Sequence, residues 1–69
     1  MIDENGNDNL YPKAVNHVLA TGFVSISNVQ RTFVIGYNRA ARLVEAMEAN
    51  GVVSVPDRVG ARTVLKGGA

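Results

Sequence analysis

"SNVQRTFVIGYNRAARLVEAMEANG", residues 27–51, is the stretch whose reading decides the fold. In its second half Ala40, Leu43, Val44 and Met47 recur at the three- and four-residue spacing of an amphipathic helix, and Asn50-Gly51 is a cap pair that ends it. In its first half Ser27, followed three residues later by Gln30, has the form of a capping box. It predicts a second helix of about two turns, with Val29 and Phe33 facing inward. Val34-Ile35-Gly36 breaks that helix, and the longer one begins near Tyr37. A short helix, a three-residue turn containing glycine and a longer helix have the spacing of a helix-turn-helix.

Working outward, Leu10, Ala14, Val15, Val18 and Leu19 keep helical period and predict a first helix that ends near Thr21-Gly22. Pro12 then falls in its first turn, where a missing N–H costs little. "FVSIS", residues 23–27, reads as a short extended segment. Downstream, "VVSV" (52–55) and "ARTVL" (61–65) are β-branched runs separated by "PDRVG", whose Pro, Asp and Gly are turn formers, so the tail predicts a two-stranded hairpin. Three helices, a short first strand and a C-terminal two-stranded wing make a winged helix (winged helix-turn-helix), α+β in class. Residues 1–8, acidic and polar, read as a disordered leader or an artificial boundary, 9–66 as the winged-helix domain and 67–69 as a flexible tail.

With 69 residues the chain has room for one small core, and no internal repeat or second domain is visible. It has no cysteine and a single histidine, His17, so neither a disulfide framework nor a zinc site is available. No apolar run reaches the length of a membrane span, and the acidic start is unlike a signal peptide, so no membrane contact is expected of this domain. The formal charge of +1 hides an asymmetry. Residues 1–30 hold Lys13 against Asp3, Glu4 and Asp8; residues 31–69 hold Arg31, Arg39, Arg42, Arg58, Arg62 and Lys66 against Glu45, Glu48 and Asp57. Arginine dominates the basic half, and its planar fork suits phosphate and base contacts better than lysine does.

The polar face of the third helix is unusual in kind. At about 100° per residue, with Asn38 at zero, Glu45 lies within about 20° on one side and Arg42 within about 40° on the other. Ala41, small and nearby, lets the backbone approach a partner, and Arg39 sits at the shoulder. The major groove of B-DNA admits a helix and is read by these groups: Asn bonds adenine N6 and N7, Arg bonds guanine O6 and N7, Glu accepts from cytosine N4. A carboxylate has no electrostatic reason to stand among phosphates. Glu45 therefore either accepts from a base or holds Arg42 in one rotamer. Asn38, Arg42 and Glu45 are the candidate base readers; Arg31, Arg39, Arg58, Arg62 and Lys66 are candidates for the DNA backbone or the wing. His17 shares the polar side of the first helix with Lys13 and Asn16 and reads as an inert surface residue, and Tyr37 reads as the edge of the core. No Cys-His pair, paired carboxylates or phosphate-binding glycine loop is present, so the expectation is no catalytic residue, no metal and no cofactor.

At this point "SISNVQRTFVIGYNRAARLVEAMEANGVVS", residues 25–54, resembles the C-terminal γ domain of the FtsK/SpoIIIE family of bacterial DNA translocases. The family carries a recognisable "QR.F.IGYNRAAR..E.ME..G.VS" string, and the likeness extends over roughly residues 8 to 66. The resemblance implies a winged helix that binds double-stranded DNA at short, G-rich, polar chromosomal sequences, loading and orienting a hexameric motor in chromosome segregation and cell division. It also implies contact with a XerD-type recombinase, and it places the family's base-reading positions at Asn38, Arg42 and Glu45. By the same resemblance the chain is a fragment, with the ATPase motor domain elsewhere in the full-length protein. The domain would be cytoplasmic and the whole protein in the bacterial inner membrane at the division septum. The family's Arg-Glu-Val near the end is Arg62-Thr63-Val64 here, so Arg62 carries over and a following acid does not. Two other readings stand beside this one: a winged helix that mainly docks on a recombinase, and a free-standing repressor, for which no dimerisation helix is visible.

Overall fold

The computed structural model describes residues 9–65 and contains three helices in that span. Helix α1 (Tyr11–Thr21) opens with Pro12 in its first turn and closes at Gly22, whose φ of 70° is the left-handed conformation that lets the Gly22 N–H bond the Val18 carbonyl. Helix α2 (Ile26–Phe33) and helix α3 (Tyr37–Ala49) are separated by residues 34–36. The helix, turn and helix of the sequence reading are thus realised, with α3 ending at Asn50-Gly51 as expected.

Two expectations are corrected. The capping residue of α2 is Ser25, in extended conformation, with its hydroxyl accepting the Asn28 N–H at 2.9 Å, whereas Ser27 lies inside the helix. Ser25 wins because the residue before it, Val24, is buried in the core and fixes where the chain must turn. The short first strand is accordingly not formed: Ile26 and Ser27 belong to α2, and residues 23–25 are irregular and pair in no ladder among the described residues.

The tail forms no strand among the described residues, only a single antiparallel bridge between Val53 and Val64. Around it the backbone returns on itself. Leu65 N–H donates to Val52, Ser54 N–H to Thr63 and Asp57 N–H to Ala61, each at 2.8 Å. The ladder goes no further because the Thr63 N–H turns to the Ser54 Oγ and Pro56 has no N–H to give, and the Asp57 carboxylate takes the Val59 and Ala61 amides to close the tip.

One core holds these parts together. Ala14 and Val18 from α1, Val29 from α2, and Ala40, Leu43, Val44 and Met47 from α3 are buried with Val24, Val52 and Val53. Every apolar position assigned to the buried stripe of α3 is there. α3 is the central element, packed against both α1 and α2. Polar ties supplement the packing: Asn50 Nδ2 donates to the Tyr11 hydroxyl at 2.9 Å, joining the end of α3 to the start of α1, and His17 Nε2 meets Asn28 Oδ1 at 2.9 Å. The His17 ring also stands edge-on to Phe33, centroids 5.7 Å apart. His17 is therefore a bridge from α1 to α2 rather than an inert surface side chain; the eleven-residue separation of His17 and Asn28 hides this from a single-helix wheel.

Candidate nucleic-acid interface

The site is built on α3 because burial of Ala40, Leu43, Val44 and Met47 fixes the helix's rotation about its own axis. With that face inward, Asn38, Arg42, Glu45 and Ala49 are all exposed on the other side. Asn38 and Glu45, seven residues apart, are about 10 Å from each other along the axis, roughly the rise of three base pairs. Ala41, half-buried, leaves the shoulder of this face low.

The alternative roles of Glu45 separate here. Among the described residues neither Glu45 nor Arg42 has an ion pair, so the contact in which Glu45 would hold Arg42 is not made in the free protein. Both side chains are open to a ligand.

The flanking cations divide. Arg31 is exposed in the last turn of α2, and Arg58 is exposed at the tip of the 56–60 turn. Arg39 is half-buried and engaged within the molecule. Arg62 is drawn inward, paired with Glu48 of α3 and donating to the Ser54 carbonyl at 3.3 Å. Lys66 lies outside the described residues.

Tyr37, which the sequence puts at the edge of the core, is 59% exposed. As the first residue of α3 it precedes the turn that packs on α2, and the core position there is filled by Ala40. Tyr37 instead lines an open groove of about 420 Å³ with Phe23, Ser27, Gly60, Ala61 and Arg62, between the start of α3, the start of α2 and the returning tail. Neither Phe23 nor this groove had a local signal, since its walls come from three separate stretches of chain.

The profile of the family described as "Ftsk gamma domain" matches residues 5–66. The chain is 57% identical over 58 residues to DNA translocase FtsK 2 of Neisseria meningitidis serogroup A, covering 84% of this chain and 6% of that protein. It is 53% identical over 58 residues to DNA translocase FtsK of Vibrio vulnificus, with the same coverage of 84% and 6%. Against DNA translocase FtsK of Pseudomonas syringae pv. tomato it is 50% identical over 66 residues, 96% of this chain and 8% of the relative. The chain therefore spans less than a tenth of the length of these relatives. Among the described residues no helix is long and apolar enough to cross a membrane.

Proposed function

Since this chain belongs to the Ftsk gamma domain family, we propose that it is the sequence-reading module of a DNA translocase, binding duplex DNA through α3 and so loading and orienting the motor on short, G-rich, polar chromosomal sequences. The observation that carries this reading is the exposed row of Asn38, Arg42 and Glu45, one turn apart, on a helix whose opposite face is wholly committed to the core. Such a row matches the donor and acceptor pattern of the major groove. The 53–64 return serves as the wing, with Arg58 at its tip, and Arg31 adds a phosphate contact from α2. ATP-driven translocation belongs to the remainder of the long chains that carry this domain, and this domain contributes no catalytic group.

Weak binding by one copy follows from the few cations on this face. Several copies side by side on one site, tethered to a motor ring, would supply the affinity. The decisive experiment is site selection on the isolated domain, followed by Arg42→Ala. The expected loss on the selected site is about 1–3 kcal/mol, with discrimination relaxed at one G·C pair. Equal losses on selected and scrambled duplex would remove Arg42 from base reading.

A second reading has its own support. Val55, Val59 and Leu65 are exposed on or beside the returning tail, an apolar display better suited to protein than to phosphate. It fits docking on a site-specific recombinase of the XerD type, in a septal, membrane-anchored assembly for which this domain is the cytoplasmic end. Salt separates the two: duplex binding weakens steeply with log salt, and an apolar protein contact does not.

A further inference from the structure

Arg62 was expected at the DNA backbone, but its guanidinium is already occupied on two sides. Nη1 pairs with Glu48 Oε1 and donates to the Ser54 carbonyl at 3.3 Å. The Arg62 side chain is only 13% exposed and that of Glu48 34%, so the pair is shielded more than an ordinary surface ion pair. Glu48 is in the last turn of α3, about 80° round from Asn38 and so off the base-reading row. Ser54 faces the returning segment, its N–H bonded to the Thr63 carbonyl at 2.8 Å and its Oγ accepting the Thr63 N–H at 2.9 Å. Arg62 thus joins three pieces of backbone: the end of α3, the outgoing segment at Ser54 and its own returning segment. Among the described residues the return otherwise has a single ladder bridge, Val53 to Val64, and the few hydrogen bonds around it, and a two-stranded return of that length has little stability of its own.

We propose that Arg62 is a positioning residue and Glu48 its anchor: the pair fixes the 54–63 return against the last turn of α3, and the tip residue Arg58 contributes to DNA binding only while the pair is closed. The last clause rests on the DNA-binding reading above; the first does not. A phosphate-contacting Arg62 and a latching Arg62 give opposite signs for Glu48→Gln. If Glu48 merely restrained a phosphate contact, removing its charge would free Arg62 and tighten duplex binding. The latch instead predicts a loss of about three- to tenfold, because the return is no longer held.

The test begins on the free protein. Amide hydrogen exchange at Ser54 and Thr63 should accelerate about three- to tenfold in Glu48→Gln, with α1 amides unchanged, as expected for local rather than global opening. Arg62→Lys, which keeps the charge and a donor for the Ser54 carbonyl, should retain most of the protection. Unaltered exchange in Glu48→Gln overturns the latch, whatever the DNA result. The second arm is a double-mutant cycle in duplex binding: Arg58→Ala should weaken the unaltered chain but cost nothing further in Glu48→Gln. Equal losses in both backgrounds overturn the coupling. No duplex binding by the unaltered chain overturns the DNA reading, and the exchange measurement then decides the latch alone.

Discussion

Val34 sits at φ 55° and ψ 54°, a left-handed conformation in which a β-branched side chain crowds its own backbone, and it is 89% exposed, so no burial offsets the strain. The turn between α2 and α3 needs this conformation to reverse direction while the Val34 and Ile35 amides both bond the Gln30 carbonyl. Relief of strain of about 1–2 kcal/mol outweighs the extra chain entropy of glycine, about 0.5–1 kcal/mol. Val34→Gly should therefore stabilise the domain by up to about 1 kcal/mol and raise its melting temperature by a few degrees. A lowered melting temperature would show that the valine side chain makes a contact that holds the turn. Glu45 is a second residue whose substitution has an informative sign. Glu45→Gln removes a charge that repels phosphate, so non-specific duplex affinity should hold or rise while the ratio of selected to scrambled binding falls by about 1–3 kcal/mol. A constant ratio, measured at two salt concentrations, would make Glu45 a bystander.

At the level of elements, the position of the α2 cap sets where the helix-turn-helix begins. Ser25 accepts the Asn28 N–H, so Ser25→Ala should cost about 1 kcal/mol in denaturant unfolding. Ser27, exposed inside the helix, has a hydroxyl whose one hydrogen-bond partner among the described residues is the Ser25 hydroxyl at 3.4 Å, and Ser27→Ala should stay within about 0.5 kcal/mol. The reverse order would restore the capping box that the local sequence suggests. Sequence could not choose between these serines, because both precede a helical run by a suitable spacing; the burial of Val24 chooses. The same limit applied to the tail. Its β-branched runs promised a ladder, and Pro56 with the Asp57 carboxylate bonds reduced it to a tight tip on a single bridge.

For the whole molecule, stability comes from one small core centred on α3, and Leu43 is its largest fully buried side chain. Leu43→Ala should cost about 2–5 kcal/mol. A domain of this size has only a few to about 10 kcal/mol in total, so much of the population should be unfolded at 37 °C by circular dichroism. The distribution of charge is the other molecular property. If α3, Arg31 and the loop tip meet duplex DNA together, log K should fall against log salt with a slope near −0.9 per phosphate neutralised, about −2 to −4 in all. A flat response would move the domain from duplex reader to protein-docking module.

The three helices, the Pro12 start, the Gly22 and Asn50-Gly51 stops and the inward set Ala40, Leu43, Val44 and Met47 were determined by sequence, because helical periodicity and capping act within a few residues of each other. The outward row of Asn38, Arg42 and Glu45 came with them, as the geometric complement of a buried stripe. Tertiary structure decided the rest: the exposure of Tyr37, the His17 tie to Asn28, and the capture of Arg62 by Glu48 across fourteen residues of chain. Each depends on which segments meet in space. Pairwise contacts between distant side chains leave no periodic trace in the chain, so only the packed molecule could fix them.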